Sequence, residues 1–253
     1  MAQKEMTDYN PRLDENLTAL LIRWADEYHI ASFVQDDPVQ IPRGHSSLCD
    51  IEISGLLTAW LSFGRRTMII DRTRKLDALM RSGGGPHAYL MSERWREDFN
   101  GGTKSYYRTI SHDAVLRMFG ILHNIYKEYP CLQAAVLART EPRPINRLLA
   151  LLEMPATSAQ KKINMFLRWM IRQGSPVDIG CWTELSPSTL VIPLDTHVHR
   201  MALQLGITRR KSADFRTAVE ITDYFLTLFP DDPCKGDFAL FGYGVNEQKN
   251  ATK

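Results

Sequence analysis

Apolar residues recur at helical spacing in the first third of the chain. Behind Asn10-Pro11, which is a helix start signal, they stand at Leu13, Leu17, Leu20, Leu21, Trp24 and Tyr28. A second helix is predicted from Leu48 to near Gly64, and a third over residues 67–81. The run G-G-G-P at residues 83–86 is a strong terminator of the third helix.

The same helical period continues through the middle of the chain. Ser111 is expected to cap a helix that ends before Pro130, and shorter helical pieces follow. A further helix is predicted from Ser158, with one apolar stripe formed by Ile163, Phe166, Leu167, Met170 and Ile171. Residues 174–193 are predicted to form a long connection.

Three more helices are predicted near the end of the chain, over residues 196–205, behind Ser212 and around Pro233. No stretch alternates with period two for long enough to build a sheet. The chain is therefore predicted to be all-α.

Composition is that of a folded globular protein, with 44% hydrophobic and 24% charged residues over 253 positions. The chain starts without an apolar signal segment, and no apolar run reaches the length of a membrane span. We therefore expect a soluble, cytoplasmic protein. The formal net charge of +2 does not identify a nucleic-acid binder, which needs a local basic face.

The four cysteines are Cys49, Cys131, Cys181 and Cys234, and no two of them form a C-x-x-C pair. An iron–sulfur cluster or a cysteine-bound zinc ion is therefore not expected, and buried free thiols are the simpler interpretation. No cofactor and no metal are predicted.

The helix predicted from Ser158 carries a row of cations. At about 100° per residue, Lys161, Arg168 and Arg172 fall on one helix face. Such a row can hold successive phosphates of a nucleic acid. It can equally be a solvated face opposite the core, and the pattern alone leaves both open.

Asp195 directly precedes a predicted helix, so its simplest role is to cap that helix. A capping carboxylate is also held in a fixed position. A fixed carboxylate suits the cleavage of a glycosidic bond, because the transition state resembles a positively charged oxocarbenium ion. One placement of Asp195 therefore serves either role.

The segment P-L-D-T-H-V around Asp195, followed by Arg200 and Leu205-Gly206, resembles the P-V-D-T-H-V-x-R signature of the helix–hairpin–helix (HhH-GPD) DNA glycosylases. The resemblance implies that Asp195 is catalytic. The K-K-I-N segment at residues 161–164 resembles the K-x-A-N of lyase-active members. It implies that Lys161 forms a Schiff base, with Lys162 one register away as the reserve.

This resemblance implies a two-lobed helical bundle, with a central lobe over residues 48–150 and a terminal lobe over 1–47 plus 151–253. It implies a base-excision repair enzyme that hydrolyses the bond to a damaged base in double-stranded DNA, with an 8-oxoguanine-type lesion as one substrate class. The enzyme would act with or without abasic-site (AP) lyase activity. The implied DNA contacts are Lys162, Arg168, Arg172, Arg200 and Ser158. A base flipped out of the duplex needs stacking partners, and the candidates are Trp169, Trp182, Phe166 and Tyr106.

The chain departs from the glycosylase pattern at the hairpin. That hairpin reads approximately L-P-G-V-G, whereas residues 154–160 read M-P-A-T-S-A-Q and contain no glycine. Glycines allow the backbone to approach phosphate closely, so weaker phosphate binding is predicted there. The full chain resembles a bacterial family of unknown function within this superfamily, which shares K-K-I-N-M-F-L-R-W-M, P-L-D-T-H-V and D-F-A-L-F-G.

Two alternatives stand beside the glycosylase. One is a catalytically silent helical protein that binds DNA or RNA and has kept only the scaffold. The other is a metal-dependent hydrolase that uses His197 and His199. Residues two apart on a helix point about 200° apart, which suits a shared metal ion poorly.

Overall fold

The computed structural model describes residues 15–156 and 158–251, with side chains as far as residue 247. Helices account for most of the described chain, which confirms the all-α prediction. The helices are α1 (Glu15–Tyr28), α2 (Leu48–Leu61), α3 (Arg66–Ser82), α4 (Pro86–Met91), α5 (Trp95–Asp98), α6 (His112–Glu128), α7 (Leu132–Leu137), α8 (Pro144–Leu151), α9 (Lys161–Ile171), α10 (Thr196–Gln204), α11 (Phe215–Leu228) and α12 (Lys235–Ala251). Short 3-10 helices cover Ala31–Asp36, Pro38–Gln40, Pro42–Gly44 and Pro187–Thr189.

The predicted start of α6 is confirmed by its capping geometry. The side chain of Ser111 accepts a hydrogen bond from the Ala114 N–H at the start of α6. The start signal at Asn10-Pro11 and the apolar Leu13 lie outside the described residues. The start predicted behind Ser212 is two residues early, because Asp214 caps α11.

The start predicted for α9 is wrong. This helix begins at Lys161, and the residue before it, Gln160, has a left-handed backbone with φ of 51°. Ser158 is exposed and lies in the irregular segment that precedes the helix. The side chain of Gln160 bonds to the Pro155 carbonyl, so the turn before α9 is closed by a side chain rather than by glycines.

A small hairpin interrupts the helices between α5 and α6. Strands β1 (Ser105–Tyr107) and β2 (Ile110–Ser111) pair antiparallel, and Arg108 in the turn has φ of 52°. The Tyr107 hydroxyl donates to the Phe63 carbonyl at 2.9 Å. The hairpin is thereby tied to the segment that follows α2.

Helices α2 and α9 pack against each other at the centre of the fold. Every residue of α9 from Ile163 to Ile171 is buried. Gly55 in α2 permits this packing, because a Cβ there would lie 3.1 Å from the Met170 side chain. The apolar stripe predicted for α9 is therefore confirmed, but the opposite side of this helix is covered as well.

Glu52 in α2 is fully buried and serves as a junction between distant segments. Its carboxylate accepts hydrogen bonds from the Tyr126 hydroxyl at 2.7 Å, the Leu132 and Gln133 amides at 2.8 and 2.9 Å, and the Trp182 indole at 2.7 Å. Burial raises the pKa of Glu52 despite these four donors. The arrangement fixes α2 to α6, to the start of α7 and to the 174–193 connection.

The two ends of the described chain meet, because α1 packs against α12, and α12 also contacts α10 and α11. The contact between α2 and α9 joins residues on both sides of the predicted lobe boundary. The division into two lobes stays a prediction. Over the described residues, every helix is too short or too polar to cross a bilayer.

His29, which follows α1, predicts a pH dependence of stability. Its Nε2 lies 2.8 Å from the Ser175 hydroxyl, and burial together with the charge of Arg172 lowers its pKa from 6.5 to about 4. Between these values the unfolded chain binds a proton that the folded protein excludes, so the free energy of unfolding falls as pH drops. Urea titrations should show a weaker loss in His29→Gln than in the wild type between pH 6.5 and 4, and equal slopes would contradict this role.

Candidate active site

Asp195 is fixed at the N-terminus of α10. Its Oδ1 accepts a hydrogen bond from the Val198 N–H at 2.8 Å, which confirms the predicted capping role. The segment before it is held in the core, where the Ile192 N–H donates to the Thr222 hydroxyl at 3.0 Å and Leu194 is buried. One carboxylate oxygen is therefore used for capping, and the other is left to face the neighbouring helix.

That second oxygen meets Lys161, the first residue of α9. Lys161 Nζ lies 3.2 Å from Asp195 Oδ2, and the side chains are 38% and 34% exposed, respectively. Both groups are thus reachable by a molecule from solvent, although each is anchored by a buried segment. The structure brings together the two residues that the sequence singled out for chemistry.

Two adjoining cavities open beside this pair, and Lys161, Asp195, Asp37, Arg66 and Met165 line both. The larger has a volume of about 550 Å3 and the smaller about 120 Å3. The larger one is also lined by Pro38, Ser62, Phe63, Gly64, Ile69, Lys162, Leu194 and Thr196. The smaller one adds Phe33, Arg168, Pro193, His197, Val198, Asp237, Phe238 and Phe241.

Lys162 lines the larger cavity and differs in environment from Lys161. Its Nζ lies 5.6 Å from the centre of the Phe63 ring. Burial, and then the charge of Lys161, lower the pKa of Lys162. A lowered pKa favours the neutral amine that a nucleophile needs, whereas the carboxylate contact belongs to Lys161.

The prediction that Arg168 and Arg172 face DNA phosphates is wrong. Both side chains are buried, at 4% and 1% exposure, and both contact Asp178. Arg168 also pairs with Asp237, and Arg172 with Asp232. These arginines join α9 to the 174–193 connection and to the start of α12, so their charges are used inside the protein.

The prediction that Trp169, Trp182 and Phe166 stack on a flipped base is also wrong. All three have 0% exposure and lie in the core. The Trp182 indole is taken by Glu52, and Phe166 packs edge-to-face on Trp182. The two remaining predicted contacts, Ser158 and Arg200, are exposed, and neither lines the cavities.

Sequence reasoning missed two acidic cavity residues. Asp37 is 7% exposed, accepts a hydrogen bond from the Val39 N–H at 2.9 Å, and has its pKa raised by burial. Burial, together with the negative charge of Asp195, raises the pKa of Asp237 to about 6 against the opposing effect of Arg168. The D-F-A-L-F-G pattern marks Asp237, whereas the Asp-Pro pair at Asp37 carries no comparable signal.

The side chains of His197 and His199 have separate surroundings. His199 Nε2 lies 2.7 Å from the Arg210 carbonyl, whereas the His197 ring packs close to Gly244. Within the described residues, no three His, Cys, Asp or Glu side chains form a group that could hold a metal ion. The described part of the chain therefore offers the metal-dependent alternative no set of ligands.

Replacing Arg172 should weaken the fold rather than DNA binding. Arg172→Gln removes the cation from Asp232 and leaves Asp178 with Arg168 alone, and breaking a buried pair costs about 3 kcal/mol or more. Urea denaturation should show that loss. The salt dependence of DNA binding should stay unchanged in the folded variant, and a shallower slope would place Arg172 at the DNA after all.

The comparisons with known proteins identify a family and no activity. A family model described as "Protein of unknown function (DUF2400)" matches residues 37–154 and 138–246. A search of curated proteins gave no significant match. A search of solved structures likewise gave none. Because the two matched segments span most of the sequence, the chain belongs to the DUF2400 family of proteins of unknown function.

Proposed function

We propose that this protein is a DNA glycosylase that excises a damaged base from double-stranded DNA. The observation that carries the proposal is the Lys161–Asp195 pair, with 3.2 Å between Nζ and Oδ2 beside a cavity of about 550 Å3. An amine and a fixed carboxylate at the edge of a cavity are the groups that a bifunctional base excision uses, the amine as nucleophile and the carboxylate to stabilise the sugar cation.

The bond to the base is hidden inside a duplex, so the damaged nucleotide must leave the stack and enter the cavity. Cavities of this volume fall in the range that holds small ligands. The carboxylate of Asp195 then lies where positive charge develops on the sugar, and stabilises it. Capping holds this carboxylate in place, so little reorganisation is needed during the reaction.

The amine of Lys161 supplies the nucleophile in a bifunctional reaction. As the C1′–N bond to the base breaks, the base leaves with the electron pair and takes up a proton from the Lys161 ammonium, and the neutral Nζ so formed makes a bond to C1′. Transfer of an Nζ proton to O4′ opens the sugar ring and gives a Schiff base, and loss of a 2′ proton then expels the 3′ phosphate by β-elimination. Water in place of Lys161 would give simple base release, without strand cleavage.

A catalytically silent DNA- or RNA-binding protein is the second candidate. It is favoured by the turn before α9, where the left-handed Gln160 and its contact with Pro155 replace the glycines of the phosphate-binding hairpin. Two of the expected phosphate contacts, Arg168 and Arg172, are also buried. The silent protein would bind nucleic acid whether or not Asp195 is present.

The decisive test is a panel of otherwise identical duplexes, each with one lesion, incubated with the purified protein. An 8-oxoguanine duplex belongs in the panel, together with deaminated, alkylated and abasic sites. Products should be scored before and after alkali, which separates base release from strand cleavage. We expect release of at least one base; binding without any product would favour the silent protein.

A further inference from the structure

An aromatic side chain stands exposed at the edge of the larger cavity. Phe63 is 49% exposed, and all residues from 63 to 68 are exposed, among them Met68 at 45%. Isolated exposed apolar residues are ordinary on protein surfaces. Phe63 differs because it lines the cavity that holds Lys161 and Asp195.

The β1–β2 hairpin fixes the position of Phe63. Its carbonyl accepts the Tyr107 hydroxyl at 2.9 Å, and the guanidinium carbon of Arg108 lies 4.9 Å from its ring centre. Gly64 has φ of 111°, and a Cβ there would lie 2.8 Å from Arg108 Nη1. The chain therefore uses a glycine where a side chain would push Arg108 away from the ring.

The surroundings of Phe63 are cationic. Lys162 and Arg108 both lie over its ring, and Arg65 and Arg66 follow it in sequence. A second pair of the same kind is adjacent, where Arg72 lies 4.9 Å from the Tyr106 ring centre beside a shallow cavity of about 590 Å3. The acidic residue lining that cavity, Asp71, is paired with Lys75.

An exposed aromatic ring among arginines and lysines has the chemistry that binds unpaired nucleic acid strands. The ring stacks on a base, and the cations follow the phosphates. We propose that residues 63–68 and the β1–β2 hairpin form a binding surface for unpaired DNA bases, with Phe63 as the stacking residue. This inference rests on the proposed function only for the choice of DNA as the polymer.

This surface would bind DNA in place of residues 154–160, which align with the glycosylase hairpin, and in place of the buried Arg168 and Arg172. It selects DNA in which the stack is already broken, because an intact duplex offers no free base face to Phe63. Phe63 would then recognise the unstacked DNA, and Lys161 and Asp195 would cleave the bond between sugar and base, from neighbouring sides of the same cavity.

Binding of lesion-free DNA tests this surface separately from catalysis. The probes are an intact duplex, the same duplex with a one-nucleotide bulge, and a single strand, each followed by fluorescence anisotropy. We expect tighter binding of the bulged duplex and the single strand. Phe63→Ala should weaken binding of these two probes about tenfold and leave the intact duplex unchanged, while Phe63→Trp should retain the preference.

Two further variants distinguish the loss of base stacking in Phe63→Ala from a general loss of exposed apolar surface and from a loss of charge. Ile22→Ala removes a similarly exposed apolar side chain from α1, at 39% exposure, and should bind like the wild type. Arg108→Gln should lower the slope of log affinity against log salt by about one. Unchanged binding of bulged DNA by a folded Phe63→Ala protein overturns the inference, even if bases are released. A lost preference in Phe63→Ala supports it, even if no lesion is ever excised.

Discussion

Asp195→Asn is expected to reduce base release by about a hundred- to a thousandfold while the protein still folds and binds DNA. Asparagine can accept the hydrogen bond from the Val198 N–H, so α10 keeps its cap. The substitution removes the negative charge beside Lys161 that would stabilise the sugar cation. Single-turnover base release, measured with the best substrate of the lesion panel, reports that loss directly.

Asp214→Asn is the matched control for this experiment. Asp214 caps α11 in the same way, with its Oδ1 accepting from the Thr217 N–H at 2.9 Å, but it does not line either cavity. Its substitution should change stability by a similar amount and leave base release unaltered. A folded Asp195→Asn protein with wild-type release would remove Asp195 from the mechanism.

The second large effect concerns Lys161, which should form a covalent adduct with abasic-site DNA in the presence of borohydride. Only a Schiff base is fixed by this reduction, so the adduct reports attack by an amine on C1′. The adduct should be lost in Lys161→Gln and retained in Lys162→Gln, because the first lysine contacts Asp195. Gel electrophoresis of the trapped complex gives the readout.

Lys162 serves as the comparison for Lys161, because each possible nucleophile gives a different result in the trapping experiment. Loss of the adduct in Lys162→Gln alone would assign the nucleophile to the lysine whose pKa is lowered by burial. Base release without any adduct would indicate water as the nucleophile. Neither adduct nor base release from any lesion would favour the silent binding protein.

Local features of the fold were predictable, because their causes lie within a few residues. Ser111 and Asp195 cap helices through bonds to amides three residues ahead, and both positions could be read from the sequence. The start of α9 could not, because the left-handed Gln160 breaks the pattern that Ser158 suggested. A glutamine with positive φ cannot be recognised from the sequence, because glutamine is not a residue that typically adopts this conformation.

The errors about the arginines arose from partners far along the chain. A helical wheel places Arg168 and Arg172 on one face, but it does not show that Asp232 and Asp237 cover that face. Resemblance to a known motif predicted Lys161 and Asp195, which the structure places in contact. Phe63 was not predicted, because its role depends on a hairpin that lies some 40 residues further along the chain.

The buried carboxylate of Glu52 has a consequence for how the protein unfolds. Its four donors come from residues 126 to 182, so the junction is complete only after the chain has been synthesised through the 174–193 connection. The amides of Leu132 and Gln133 are held by this carboxylate and cannot exchange with solvent while it stays buried. They should therefore be among the slowest hydrogens to exchange with deuterium, at a rate set by opening of the whole molecule.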